Sequence, residues 1–246
     1  MLEGMYSAAA GMYAQQARLD SLSNDIANVN TAGYKPVRQG FRDLLYDVQA
    51  GHAIDDQVQL GTGAEITDLG RVTRQGAFQM TGNNLDIAVN GPGYFQVRQA
   101  DGTRVLTRAG SLQMDAQGRL STITGELLEP TVTLPKDADV SKLSINPRGT
   151  IAYDGKEAGQ LRLVTVAAPS ELRPAGENTF EVTPESGPAV AAGNTTTVQQ
   201  GVLEMSAVDL GETMTSMIET QRAYELASKA ITTQDKIAEI ALGVKR

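Results

Sequence analysis

Few residues in this sequence have the type and spacing that enzymes use for catalysis. The one histidine, His52, lies in a polar stretch without a serine motif beside it, and the chain has no cysteine. A serine–histidine triad, a histidine-rich zinc site and all thiolate sites therefore lack their residues. Asp55 and Asp56 form a carboxylate pair, but in a solvated linker such a pair keeps ordinary acidity. We predict no catalytic residue and no metal site.

Glycine-containing turns also fall short of cofactor-binding motifs. Gly149 to Lys156 resembles a phosphate-binding loop, but its two glycines are separated by five residues, and Glu157 stands where Ser or Thr would bind magnesium. Gly91-Pro92-Gly93 and Gly61-Thr62-Gly63 lack the third glycine of a dinucleotide fingerprint. We expect turns at these positions, no cofactor and no enzymatic activity.

The composition limits the classes of partner. The chain has 29 acidic and 21 basic residues, a net charge of -8, which repels nucleic acid phosphates and anionic lipids. No apolar run reaches the roughly 18 residues that indicate a membrane-spanning helix. The first basic residue is Arg18, so the charged start of a secretory signal is missing. We expect no nucleic acid partner, no direct membrane insertion and no cleaved signal peptide.

Residues 1–33 are predicted to form a long amphipathic helix, the first part of a terminal helical domain. Gly33 and Pro36 end the pattern, because Gly33 can adopt a left-handed conformation and proline prevents the helix from resuming. Apolar residues recur there at alternating spacings of three and four, which indicates a heptad seam. The seam consists of Met5, Ala8, Met12, Gln15, Leu19, Leu22, Ile26 and Val29.

The same periodicity returns in residues 204–246, which we predict to be a second helix. Two amphipathic helices cannot bury their apolar stripes alone, so we expect them to pair as a coiled coil and form one terminal domain. The second seam consists of Leu210, Met214, Met217, Gln221, Tyr224, Ser228, Ile231, Asp235 and Ala238.

Each helix also carries a second stripe of small and amide residues. Small side chains allow helices to approach closely, so we expect these stripes to face neighbouring chains while the seams pair within the chain. An equally simple reading is that Ala and Ser are harmless on a solvated helix surface. The stripes are Ser7, Ala10, Ala14, Ala17, Ser21, Asn24 and Asn28, and Thr213, Ser216, Thr220, Ala223, Ala227, Ala230 and Gln234.

The middle of the chain has strand-like patterns. Residues 34–69 lose the helical periodicity and are predicted to be a linker or extended arm. Residues 70–203 contain short β-rich runs such as Leu85 to Val89 and Leu161 to Val166, separated by hairpin signals such as Asn90-Gly91. The predicted fold is α+β, with an antiparallel all-β domain inserted between the two terminal helices.

Two segments resemble the signature motifs of bacterial flagellar basal-body rod and hook proteins. Ser21 to Lys35 reads SLSNDIANVNTAGYK, and Met217 to Glu225 reads MIETQRAYE. Between them, Asn83 to Val97 and Thr107 to Leu112 resemble the β domain of the same family. The resemblance therefore spans nearly the whole chain, with two specific motifs in the right order.

Length and local motifs favour the rod branch of this family over the longer hook proteins. Asp43-Leu44-Leu45-Tyr46 and Leu60-Gly61-Thr62-Gly63 are similar to the distal rod type. Two departures keep the proximal rod paralogue and a hook-type protein open. Met5-Tyr6-Ser7 replaces a segment that often contains Trp, and Asn24-Asp25 stands where Asn-Asn is common.

The resemblance implies a structural subunit of the flagellar rod. It implies self-assembly into a hollow helical tube that transmits torque from motor to hook, with other rod proteins, the hook protein and the bushing rings as neighbours. It also implies passage through the flagellar type III export apparatus to an extracytoplasmic basal body, in the periplasm or cell wall. We expect the assembly interface to include Met12, Leu19, Leu22, Asn24, Ile26, Asn28, Asn30, Gly33, Met217, Gln221, Arg222, Tyr224 and Ile231.

Two other classes of function remain open at this point. The helices could form a closed trimeric coiled coil that tethers a β domain which binds a carbohydrate or a protein. The β domain could instead use its carboxylates as a hydrolase. Open-ended polymerisation distinguishes a rod subunit from the trimer, and a measured activity would be needed for the hydrolase.

Overall fold

The computed structural model describes residues 2–43, 46–50, 57–61, 63–135, 138–193 and 195–243. His52, Asp55 and Asp56, which were considered above for catalysis, lie outside the described residues. Neither described helix is long and apolar enough to cross a membrane.

The chain divides into two compact units. The helical unit consists of Met1–Ala27, Val37–Leu69 and Asp209–Arg246. The β unit consists of Asn28–Pro36 and Gly70–Val208. Both terminal helices therefore belong to the helical unit. The segments directly after the first helix and directly before the second belong to the β unit.

The helical unit contains α1 (Leu2–Ala27) and α2 (Leu210–Gly243), which pack against each other. The expected turn follows α1, and Gly33 has a left-handed φ of 71°. The second helix starts at Leu210 rather than at Glu204, because Glu204 lies in a strand. Asp209 caps the helix, since its Oδ1 accepts hydrogen bonds from the N–H groups of Gly211 and Glu212 at 3.0 and 3.1 Å.

The segment predicted as a linker or arm contains four strands. The strand β1 (Val37–Asp43) pairs with β4 (Ala64–Arg71), and β2 (Tyr46–Ala50) pairs with β3 (Gln57–Gly61) in antiparallel register. No residue of β1 is fully buried, and Phe41 is 42% exposed. The strands β2 and β3 alternate between apolar and polar residues, as in Tyr46-Asp47-Val48-Gln49-Ala50, so the sequence carried a strand signal that the prediction of a linker did not use.

The β unit contains the remaining strands, together with 3₁₀ turns at Val140–Lys142 and Pro169–Glu171. The first eight are β5 (Phe78–Met80), β6 (Ile87–Asn90), β7 (Tyr94–Arg98), β8 (Arg104–Thr107), β9 (Leu112–Met114), β10 (Leu120–Thr122), β11 (Leu127–Leu128) and β12 (Leu143–Ile145). They are followed by β13 (Thr150–Tyr153), β14 (Lys156–Gln160), β15 (Leu163–Thr165), β16 (Arg173–Gly176), β17 (Thr179–Glu181), β18 (Val190–Ala191), β19 (Thr197–Gln200) and β20 (Val202–Glu204).

The largest sheet has the order β16-β17-β8-β7-β11-β10-β9, and β15 pairs with β7 and with β18. A second sheet has the order β12-β13-β14, and two ribbons pair β19 with β6 and β20 with β5. Every pair with a defined register in the β unit is antiparallel. The structure confirms the prediction of an antiparallel β-rich domain between two terminal helices.

Two hydrophobic clusters stabilise the β unit on opposite faces of β7. Phe95 and Val97 pack into the larger cluster, while Tyr94 packs into the smaller one. Alternate residues of a strand point to opposite faces, so this strand contributes to both cores. The rings of Tyr94 and Phe180 meet edge to face at 6.0 Å within the smaller cluster.

Candidate assembly surfaces and a buried charge cluster

Several predicted seam residues of the two helices are only partly buried in the single chain. This applies to Met12, Leu19, Leu22 and Ile26 on α1 and to Met217, Tyr224 and Ile231 on α2. Gln221 and Arg222 on α2, and Asn24 and Asn30, are exposed, whereas Asn28 is partly buried and accepts a hydrogen bond from Thr31 Oγ1 at 3.1 Å. Gly33 is buried.

The small-residue stripes, which we expected to face neighbouring chains, contain the most deeply covered positions. Ala14 on α1 is 1% exposed, and Thr220 on α2 is 2% exposed. The stripe of α1 lies against the arm at Gly63, because a Cβ at Gly63 would be 2.8 Å from the Cβ of Ala10. The hydroxyl of Thr220 donates to the carbonyl of Ser216 at 2.6 Å and so has its hydrogen bond.

Large apolar side chains are instead exposed along the helices. Leu226 is 66% exposed and Ile240 is 65% exposed. Exposed apolar side chains that lie together mark a contact surface, and Leu210, Met214 and Ile218, spaced by four residues, lie along one side of α2. The exposed large apolar residues of the two helices are Tyr6, Tyr13, Leu210, Met214, Ile218, Leu226, Ile237 and Ile240.

The β unit contains a buried charge cluster centred on Glu204. The side chain of Glu204 is fully buried, and those of Lys35 and Arg108 are 3% and 5% exposed. Lys35 Nζ lies 2.6 Å from Glu204 Oε1, and Arg108 Nη1 lies 3.1 Å from Glu204 Oε2. The backbone N–H of Gly76 also donates to Glu204 Oε1 at 2.9 Å. One carboxylate therefore compensates two buried cations.

Backbone carbonyls and an aromatic ring support the two cations of this cluster. Lys35 Nζ donates to the carbonyl of Arg74 at 2.6 Å, and Arg108 Nη2 donates to that of Gly91 at 3.0 Å. The guanidinium of Arg108 lies 5.1 Å from the centre of the Tyr94 ring, a cation–π contact. Burial lowers the pKa of the Lys35 amine and raises the pKa of the Tyr94 hydroxyl.

The cluster joins the segment after α1 to the segment before α2. The N–H of Gly33 donates to the carbonyl of Glu204 at 2.7 Å, and the N–H of Ala207 donates to that of Tyr34 at 3.0 Å. A Cβ at Gly33 would lie 2.6 Å from the carbonyl carbon of Arg108, which leaves room for glycine only. The two chain segments that lead into the helices are thus held side by side on the β unit.

Sequence reasoning found Gly33 but missed its three charged neighbours. Lys35 and Arg108 lie in motifs that were noted only for their resemblance to a family. Glu204 ends the apolar run Val202-Leu203, and a carboxylate that continues a buried strand is a signal that it needs a buried partner. Nothing in the spacing shows which distant cation supplies it.

Within the described ranges, no group of three acidic or histidine side chains could hold a metal ion. The helices expose apolar surface, and the charged groups of the buried cluster are occupied with one another.

Three family models match this chain, and together they cover its helices and much of its β unit. The model described as flagella basal body rod protein matches residues 5–35. The one described as flagellar hook protein FlgE/F/G D1 domain matches residues 88–153. The one described as flagellar basal body rod FlgEFG protein C-terminal matches residues 199–244. Each matched segment contributes one charged residue of the buried cluster: Lys35, Arg108 and Glu204.

Curated proteins are similar over the full length. The chain is 37% identical to the flagellar basal-body rod protein FlgG of Agrobacterium fabrum, with 95% of both chains covered. It is 36% identical to the flagellar basal-body rod protein FlgG of Bacillus subtilis, with 100% of both covered. It is also 30% identical to the flagellar hook-basal body complex protein FlhP of Bacillus subtilis, again with 100% of both covered.

Proposed function

The chain belongs to the family of flagellar basal-body rod proteins, and from this membership we propose that it is a structural subunit of the distal rod. Similarity to FlgG proteins over the whole length carries this proposal, because it includes both terminal helices and the β unit. The protein acts by assembling with copies of itself, so its function depends on its contact surfaces and on the stiffness of the assembled rod.

The proposed assembly is a hollow helical tube. The terminal helices pair as a coiled coil and line the tube, and the β unit forms the outer layer. Helices whose apolar side chains are half to two-thirds exposed gain stability when neighbouring chains cover them, since burying one such side chain contributes about 1.5 to 3 kcal/mol. Repeated around the tube, these contacts make the rod stiff enough to transmit torque.

The proposed location and neighbours follow from the same role. The subunit passes through the flagellar type III export apparatus without cleavage and assembles outside the cytoplasm, in the periplasm or cell wall. Its neighbours are other rod proteins, the hook protein and the bushing rings. A proximal rod or hook-type position is the alternative within the family, and the similarity to FlhP leaves it open.

Stoichiometry tests the proposal against a closed trimer. We expect the purified chain to form open-ended polymers that lengthen with concentration in light scattering and electron microscopy. Replacing Ile218 and Leu226 by Glu should prevent polymer formation, because these side chains are 54% and 66% exposed and a charge there opposes coverage by a neighbour.

The matched control is Ile123→Glu, the same chemical change at a side chain of the β unit that is 67% exposed. This variant should polymerise like the wild type. A closed trimer of the wild-type chain that does not lengthen with concentration would instead support a β binding module tethered by a coiled coil.

A further inference from the structure

A cleft of about 940 Å³ opens in the β unit where the sheet splits. One edge of β7 pairs with β11 at Val97 and Arg98, and the same edge pairs with β15 at Tyr94 and Phe95. The chain turns away from β7 after β11, at Glu129-Pro130, and arrives at β15 through Leu161 and Arg162. The space between the two departing strands is the cleft, so its shape is built into the sheet.

Basic side chains surround this cleft. Arg98, Arg148 and Arg162 line it, and Glu129 is the one acidic residue in the lining. The Glu129 carboxylate is already shared, since Arg98 Nη2 and Arg104 Nε each lie 3.0 Å from its Oε1. Arg148 and Arg162 are exposed and have no ion pair among the described residues. A protein with a net charge of -8 thus keeps a basic cleft with two uncompensated guanidinium groups.

The opposite charge is concentrated elsewhere in the same unit. The β16–β17 hairpin and its flanks, residues 171–185, contain four Glu and a single basic residue, Arg173. Arg173 is engaged with Glu181 in an exposed ion pair, while Glu171 and Glu185 are exposed on either side. The strand β16 ends the sheet order, with β17 and β8 between it and β7. No residue of this acidic hairpin lines the cleft, and Val182 of the same segment lines a smaller adjoining pocket together with Arg162.

We propose that the basic cleft of one chain binds the acidic hairpin of a second copy of this chain. Guanidinium groups pair with carboxylates through two parallel hydrogen bonds, which gives such a contact both strength and orientation. Chains of charge -8 repel one another, so a stable polymer needs local contacts of opposite sign. Every neighbour in a homopolymer carries the hairpin, so the occupant is always present.

This contact is of the kind that produces an open polymer. Cleft and hairpin are different surfaces, so one chain can bind a neighbour through each at the same time, and such head-to-tail contacts propagate as rings or helices. The inference rests on the proposed rod function and adds an electrostatic contact between β units to the helix contacts.

Charge reversal in the full-length chain tests the contact. The cleft variant carries Arg148→Glu and Arg162→Glu, and the hairpin variant carries Glu171→Arg and Glu185→Arg. Each variant alone should need at least about a tenfold higher concentration to polymerise, as expected when attraction becomes repulsion. Because all four side chains are exposed, circular dichroism and thermal unfolding should match the wild type.

Mixing the two variants supplies the decisive result. The reversed cleft then faces the reversed hairpin, and the normal cleft of one variant faces the normal hairpin of the other. Polymerisation of the mixture near the wild-type concentration, with alternating chains, is the expected outcome. Failure of the mixture to recover, with both variants folded, would overturn the hairpin as occupant.

Two further outcomes separate this contact from the rod function. If wild type and both variants polymerise equally, the cleft contact is wrong and the rod function is unaffected. If the cleft variant polymerises normally but loses binding of a soluble acidic polysaccharide that the wild type binds, the cleft holds a glycan and the proposal is also overturned. A wild type that never polymerises would defeat the rod function and the cleft contact together.

Discussion

Replacing Glu204 by Gln is expected to lower the free energy of unfolding by about 3 to 5 kcal/mol, the range for removing one partner of a buried ion pair. The amide preserves the volume of the side chain and can still accept the hydrogen bond from Gly76. It removes the one negative charge between Lys35 and Arg108, which are 3% and 5% exposed. Two cations would then remain buried without a counter-ion.

Raising the pH should restore part of the free energy of unfolding that the Glu204→Gln variant loses. Burial already lowers the pKa of Lys35, and losing the Glu204 charge lowers it further. Between the folded and the unfolded pKa the unfolded chain binds more protons, so the stability of the variant rises with pH across that window. Urea unfolding of the variant between about pH 7 and pH 10 measures the recovery.

Glu181→Gln is the matched control, because it removes a carboxylate whose ion pair with Arg173 is solvent-exposed at 37% and 67%. Exposed pairs contribute about 1 kcal/mol or less, so this variant should unfold close to the wild type. Equal stability of the Glu204 and Glu181 variants would show that the cluster does not hold the β unit together.

The substitution Gly33→Ala is expected to have the second-largest effect, a loss of about 2 to 4 kcal/mol. The φ of 71° alone costs an L-residue about 1 to 2 kcal/mol. The new methyl group would also lie 2.6 Å from the carbonyl carbon of Arg108 and 2.9 Å from the amide nitrogen of Ala109. These are backbone atoms, so the segment must shift and weaken its hydrogen bond to the Glu204 carbonyl, worth about 0.5 to 1.5 kcal/mol.

Gly82→Ala separates the steric part from the backbone strain. Gly82 has a similar φ of 72°, but a Cβ there would meet no atom within 4 Å. Only the strain of about 1 to 2 kcal/mol should appear in its unfolding free energy. The account of Gly33 is wrong if the two alanine variants lose equal stability, or if Gly33→Ala supports motility as well as the wild-type gene.

The outline of this fold could be predicted from periodicity and turn residues. Spacings of three and four located both helices, and signals such as Asn90-Gly91 located the β-rich region, because local patterns reflect which face of an element is covered. The predicted segment of the second helix began at Glu204, before its first seam residue Leu210, whereas the cap at Asp209 decides where the helix begins. Among the strands of the arm, β1 and β4 have no fully buried residue, whereas the alternation of apolar and polar residues in β2 and β3 was a usable signal that was overlooked.

The buried cluster could not be predicted in the same way. Lys35, Arg108 and Glu204 are far apart in the sequence, and no local pattern says which charges meet after folding. Ala14 and Thr220 were expected to face neighbouring chains, but they are buried within the single chain. Contacts between chains therefore have to be inferred from which apolar side chains are exposed. On α2, Leu226 and Ile240 are the most exposed of these.

The most direct test of the rod function is electron microscopy of basal bodies purified from a strain that lacks this gene. The account predicts rods that stop short of the hook, no motility, and recovery of both when the wild-type gene is restored. The position at which the rod stops also distinguishes a distal from a proximal subunit. Rods of normal length in motile cells would contradict the account.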